Sequence, residues 1–171
     1  DASVWVRDAT ISRSYSRKQI VVRHFGPRIS YLDNHLWAND LEDKIPDLIT
    51  QRLNAYRLFT TARRDFPYTR PDYELIITVD SLEFKRGEGT PEATIHLRFD
   101  LRQLKGNSQI SHTVERTVPV YDRNLDSFVQ VVNETILEYT DRFAKKVLSS
   151  FGRAPVEESV SDIRIEKTDE T

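Results

Sequence analysis

At 171 residues the chain is long enough for one domain with a proper hydrophobic core. Its 25 Lys and Arg nearly balance its 27 Asp and Glu, for a formal net charge of -2, which argues against a dedicated nucleic-acid binder and a polybasic membrane-surface protein alike. With no cysteine, a disulfide framework, a thiol nucleophile and a thiolate metal site are excluded.

The chain has no methionine and begins at Asp1, which reads as a processed or truncated product with a targeting segment already gone. No apolar stretch approaches the roughly 18–20 residues needed to span a bilayer, so a soluble domain is expected.

Ser3 to Ile11 (SVWVRDATI) is a short β-prone run, expected as an edge strand, and the serine-rich SRSYSRK at 12–18 reads as a loop. Two apolar runs follow, Gln19 to Phe25 and Arg28 to Leu32. Gly26-Pro27 between them predicts a hairpin turn. Asp33-Asn34 reads as a turn, after which Trp37, Leu41, Ile45, Leu48, Ile49, Leu53 and Tyr56 recur at helical spacing. Pro46 interrupts that run. Either one helix kinks there, or a short helix ends at Lys44 and a second begins with Pro46 in its first turn. The apolar phase does not slip across Pro46, which favours one kinked helix.

From Arg63 to Pro71 the chain reads as an irregular connection. The period then changes to two. Tyr73, Leu75, Ile77 and Val79 alternate with Glu74, Ile76, Thr78 and Asp80, and Leu82 and Phe84 continue on the other parity. A bulge near Asp80-Ser81 restores one face. After a turn at Gly87, Gly89 and Pro91, Ala93, Ile95, Leu97, Phe99 and Leu101 alternate cleanly with polar residues, as in a strand with one buried face. Lys105 to Ser108 closes a hairpin into Gln109–Val120. Pairing Leu104 with Gln109 sets Leu101 against His112, Phe99 against Val114 and Ile95 against Val118, with both apolar sets on one face. A final helix runs from Leu125 to Phe151, with Asp122 and Asn124 as N-cap candidates and Gly152 as its C-terminal stop. Residues 153–171 are acidic with few apolar anchors and read as a flexible polar tail. The expected architecture is a single α+β domain over 1–152, a mainly antiparallel sheet with two long helices packed on one face.

The order IVVR, short turn, SYL, WAxxL (Trp37, Ala38, Leu41) and a leucine-spaced helix resembles the ABC-type transport auxiliary lipoproteins. The match is specific over Gln19 to Leu53 and rests on element order downstream. That resemblance implies a signal peptide and a lipidated cysteine ahead of this chain. It also implies an auxiliary subunit of a mammalian-cell-entry-type phospholipid transport system, lipid-anchored in the periplasm with the outer membrane favoured. Its partner would be a mammalian-cell-entry-type transport protein of the envelope. Phospholipid is a further implied partner, and a homo-oligomer stays open.

Catalytic motifs are missing: no GxSxG, P-loop, GxGxxG or HExxH occurs, and Gly numbers only 5, too few for a glycine-rich phosphate cradle. No catalytic residue, metal site, cofactor or nucleic-acid partner is therefore expected. The four histidines do not cluster at ligand spacing. His112 and Arg116, two residues apart on the apolar face of one strand, either line a polar groove for an anionic ligand or partner, or Arg116 is tied to Glu134 or Glu138 on the last helix. Trp37, with Tyr31 before it, is an interface candidate that packing grounds assign first to the core. Phe66 and Tyr68, flanking Pro67, are better placed for a contact surface. Three functions compete. A docking subunit needs an exposed apolar patch. A lipid carrier needs a cavity lined by Phe99, Leu101, Val114 and Phe143. An enzyme is disfavoured because no nucleophile or metal constellation exists.

Overall fold

The computed structural model describes residues 2–152, so the expected tail at 153–171 lies outside the described residues. The described residues form β1 (Ser3–Val6), β2 (Thr10–Ile11), β3 (Gln19–Arg23), β4 (Ile29–Leu36), α1 (Leu41–Ala55), β5 (Thr61–Arg63), β6 (Tyr73–Lys85), β7 (Glu92–Gln103), β8 (Gln109–Pro119) and α2 (Leu125–Ser150).

The spine is β6. One edge of it pairs antiparallel with β7 along its whole length, and β7 continues antiparallel into β8. The other edge is shared in series by β1, β2 and β3, all parallel to β6. Beyond β1 lies β5, also parallel, and beyond β3 lies β4, antiparallel. This is an α+β fold in which the two long pairings and the β3–β4 hairpin are antiparallel and the remaining short pairings are parallel. The first strand is not an edge: β1 sits between β5 and β6. A parallel partner that arrives some 60 residues later leaves no local pattern to read.

The bulge falls between Val79 and Ser81, so Leu75, Ile77, Val79, Leu82 and Phe84 all reach the core. In the β7–β8 hairpin the observed register lies two residues from the expected one. Phe99 pairs with His112, Leu97 with Val114 and Ile95 with Arg116. The Gln103 amide donates to the Ser108 carbonyl at 2.9 Å, and Leu104 joins the loop, where its own amide donates to the Asp72 carbonyl at 2.9 Å. A slip of two keeps every side chain on its face, so the apolar pattern cannot distinguish the two registers.

The β3–β4 hairpin turns at Gly26, whose φ of +76° suits glycine. β4 then runs on through Asp33 and Asn34 to Leu36, so the expected turn is strand. The helix begins only at Leu41, with Asp40 as N-cap and Trp37 ahead of it. The last residues of β4 are exposed, which lets an edge strand carry polar turn-formers. Pro46 lies inside one continuous helix, as favoured. It cannot donate to the Glu42 carbonyl, and the Ala9 amide from the β1–β2 link does so instead, at 2.9 Å.

α1 and α2 cover one face of the sheet, joined by a two-pronged pair in which Arg52 Nε and Nη2 donate to the Asp141 carboxylate at 2.7 and 2.8 Å. Burial, then Asp141, pushes the neighbouring Tyr56 hydroxyl up to about 12. α2 is capped by Asn124, whose side chain accepts from the Ser127 amide, while Gly152 beyond the C-cap Phe151 takes a φ of +68°. Large buried side chains such as Phe84, Phe99, Phe128 and Phe143 form the shared core, each worth roughly 1.5–3 kcal/mol of burial. On the opposite face the loop at 12–18 folds back. The Tyr15 hydroxyl donates to Glu83 at 2.7 Å, and Arg23 Nε donates to the same carboxylate at 2.6 Å.

Candidate functional site

The residues of β7, β8 and α2 that a lipid carrier needs as a cavity lining are packed solid. Phe99 and Phe143 stack with ring centroids 5.0 Å apart, and Phe99, Leu101, Val114 and Phe143 are all buried in the core cluster. Close packing fills the place where the carrier reading requires a pocket.

The apolar opening lies elsewhere, between the N-terminal halves of the two helices. α1 and α2 run in the same direction, since Leu41 and Ile45 share the cleft with Val129 and Val132 while Arg52 meets Asp141 further along. Their upper turns part around a cleft of about 210 Å³. Leu82 of β6 forms its floor, Leu41, Ile45 and Leu48 one wall, and Val129, Val132 and Ile136 the other. Trp37 and Ala38 close its mouth, with Lys44 and Asn133 as the polar rim. Trp37 is half-buried and also leans on Phe128, at 6.0 Å between centroids, so it is at once core and cleft wall. Its amide donates to the Lys18 carbonyl at 2.7 Å, which fixes the segment between β4 and α1.

The remaining candidate residues are not brought to this cleft. Tyr31 lies on the far face of β4–β3, where the Arg17 guanidinium sits 3.6 Å over its ring. Phe66 and Tyr68 stand exposed on the β5–β6 loop, Phe66 edge-on to Trp5 at 5.1 Å. His112 and Arg116 face α2 from the edge strand β8. There Arg116 Nη1 donates to Glu138 at 2.7 Å, so of its two readings the ion pair is the one observed. Burial, then the charges of Lys146 and Arg142, hold His112 below its ordinary 6.5, and its Nε2 is buried without a partner among the described residues. Among the described residues no group of three His, Cys, Asp or Glu side chains is placed to hold a metal ion. No helix among the described residues is long and apolar enough to cross a membrane.

Sequence reading missed the cleft walls. Leu48 belongs to the same apolar stripe as buried Ile45 and Ile49, and nothing in the spacing marks it as cleft. One signal was available. Phe128, Val129, Val131 and Val132 make the first turns of α2 apolar over more than a core stripe, as a helix facing both a core and a groove requires.

The fold and this opening define an α+β domain with an apolar interhelical cleft. The chain belongs to the family described as the ABC-type transport auxiliary lipoprotein component, whose model matches residues 1–144. Protein XCC0632 from Xanthomonas campestris has a similar crystal structure, with a TM-score of 0.76 over 89% of this chain and 87% of that one, at 17% identity. An uncharacterized protein superposes at 0.72 with 14% identity, over 85% of this chain and 92% of that one. The hypothetical protein CT253 from Chlamydia trachomatis does so at 0.55 with 8% identity, over 87% and 99%. At these identities the likeness is one of fold. Among curated proteins none matches.

Proposed function

We propose that this chain is a non-catalytic periplasmic subunit of a mammalian-cell-entry-type phospholipid transport system, docking on its partner protein through the cleft between α1 and α2. The observation that carries the reading is the position of Trp37, Ala38 and Leu41. These residues of the stretch that resembles the family line the cleft and its mouth. An apolar side chain or short helix from the partner is the occupant that fits. At about 210 Å³ the cleft is smaller than the roughly 300–1,000 Å³ of pockets that enclose small ligands, which supports docking over a lipid carrier. The outer membrane is the favoured site of the lipid anchor.

The test is binding of the chain to the purified periplasmic part of a mammalian-cell-entry-type protein, paired with detergent-free native mass spectrometry. Trp37→Ala and Leu48→Asp are expected to weaken binding at least about tenfold, the loss typical of truncating a buried anchor. A phospholipid mass retained by the chain alone, with partner binding indifferent to both substitutions, would sink the docking reading and restore the carrier.

A further inference from the structure

The β5–β6 loop, residues 64–72, is exposed yet held at every corner. At its base Arg64 Nε donates to Asp47 at 2.9 Å, Nη1 to the Val6 carbonyl at 2.9 Å and Nη2 to Asp8 at 2.8 Å. The Trp5 indole donates to the Arg64 carbonyl at 3.2 Å, and its ring takes Phe66 edge-on. Arg70 Nη2 donates to the Leu104 carbonyl, and Asp72 accepts from both the amide and the hydroxyl of Ser3 at 2.9 and 3.0 Å. Between these ties Phe66 is 77% exposed and Tyr68 fully so. These ties fix the loop against β1, α1 and the β7–β8 turn, and they hold the two aromatic rings out in water.

Unpaired cations outnumber unpaired carboxylates around the rings. Arg63, Arg70, Arg102 and Lys105 all lie at this end of the sheet, where β1 and β6 begin and β7 ends, and none forms an ion pair among the described residues. Of the local carboxylates, Glu74 pairs with Arg7, and Asp8, Asp43 and Asp47 converge on Arg64 at the base of the loop, which leaves Asp65 and Asp72, the latter held by the neutral donors of Ser3, to oppose the four cations. Aromatic rings ringed by unpaired cations fit the headgroup layer of an anionic bilayer, rings at the acyl boundary and cations at the phosphates. Orientation agrees. β1 enters the sheet at this end, beside Asp72 and Thr61, so the chain ahead of Ser3 leaves toward the same surface. The family is one of lipoproteins, and a second membrane contact beside a lipid anchor adds to membrane affinity and sets the orientation of the domain.

We propose that the β5–β6 loop is that contact, with Phe66 and Tyr68 entering the headgroup region of an anionic bilayer and Arg63, Arg70, Arg102 and Lys105 meeting its phosphates. The inference rests on the lipoprotein family alone and is independent of what occupies the interhelical cleft. It also puts the cleft, which lies toward the start of α2, away from the bilayer.

Flotation of the 171-residue chain with vesicles of phosphatidylethanolamine and phosphatidylglycerol tests it, against vesicles of phosphatidylcholine alone. Binding is expected to the anionic vesicles only, to fall about fivefold for each arginine changed in Arg63→Gln and Arg70→Gln, and to weaken at high salt. Tyr68→Ser touches no packing and should lower it severalfold. The two tryptophans report the face that docks. With brominated phosphatidylglycerol, Trp5 in the Trp37→Phe chain is expected to be quenched and Trp37 in the Trp5→Phe chain is not. No flotation, flotation indifferent to Tyr68 and both arginines, or quenching of Trp37 rather than Trp5 would each overturn the proposal.

Discussion

The Ala9 amide donates to the Glu42 carbonyl at 2.9 Å, filling the acceptor that Pro46 strands one turn later in α1. A proline in a helix interior ordinarily costs about 3 kcal/mol, part of it the lost backbone bond. Here the lost bond is replaced by one from another element, and it ties the β1–β2 link to the helix. Ala9→Pro is expected to destabilise by at least about 1–3 kcal/mol, the cost of an unmet buried acceptor. In a Pro46→Ala background the helix supplies its own donor to Glu42, so the penalty of Ala9→Pro should shrink. Urea unfolding of the four chains in the double-mutant cycle measures that coupling. Additive losses would mean that the Ala9 bond does not compensate for the proline.

Among the described residues one ion pair joins the two helices. Arg52 and Asp141 have side chains only 15% and 24% exposed, and their two-pronged geometry is the strong form of such a contact. Asp141→Ala leaves the guanidinium partly buried and unmet, and should cost about 2–3 kcal/mol in chemical denaturation. Replacing both, Arg52→Met with Asp141→Leu, should recover most of that loss, because the apolar pair carries no desolvation debt. A double variant as unstable as Asp141→Ala would show that the pair is needed for packing beyond charge.

What could be read in the sequence divides along physical lines. Ala93 to Leu101, the bulge after Val79, the Gly26 turn and the Asn124 cap were legible because each is set by residues within a few positions of one another. β1 was misplaced at an edge because its neighbours, β5 and β6, arrive far along the chain. The β8 register was misread by two because a two-residue slip leaves the faces unchanged, so even the helix-facing placement of Arg116 survived it. Trp37 was read as a core residue or an interface candidate, and its place at the mouth of a cleft was not foreseen. The cleft is a gap between two stripes, and a gap leaves no residue pattern of its own.

On the sheet face away from the helices, Glu83 is the acid at the centre of a buried cluster. Its side chain is 7% exposed and accepts from both Tyr15 and Arg23. Burial, then the bond to Glu83, raises the Tyr15 hydroxyl, while the bond to Glu83 keeps Arg23 charged at any accessible pH. Tyr15→Phe removes one hydrogen bond and should cost about 1–2 kcal/mol, whereas Glu83→Ala strands the Arg23 charge and should cost about 3 kcal/mol or more. Thermal unfolding ranks the two. The reverse order would mean that the loop at 12–18 is held by the Tyr15 ring and not by the carboxylate.

His112 is expected to contribute to the acid side of the stability profile. It lies between Phe99, 6.3 Å away between rings, and the basic face of α2, where Lys146 and Arg142 oppose a further positive charge. Folding therefore lowers its proton affinity, with burial the first cause and Lys146 the second. In the unfolded chain the ring takes up a proton near its ordinary 6.5, and in the folded chain only at lower pH. The unfolded state thus binds more protons between those values, so stability rises with pH across that window. The contribution is present above 6.5 and is lost as pH falls toward the folded value. His112→Phe keeps a ring against Phe99 and removes both the titration and the unpartnered Nε2. Comparing urea midpoints at about pH 7.5 and about pH 5.5, the wild-type chain should lose stability on acidification and the variant distinctly less. Equal losses would assign the acid sensitivity to the carboxylates, with the crossing point of the two profiles absent.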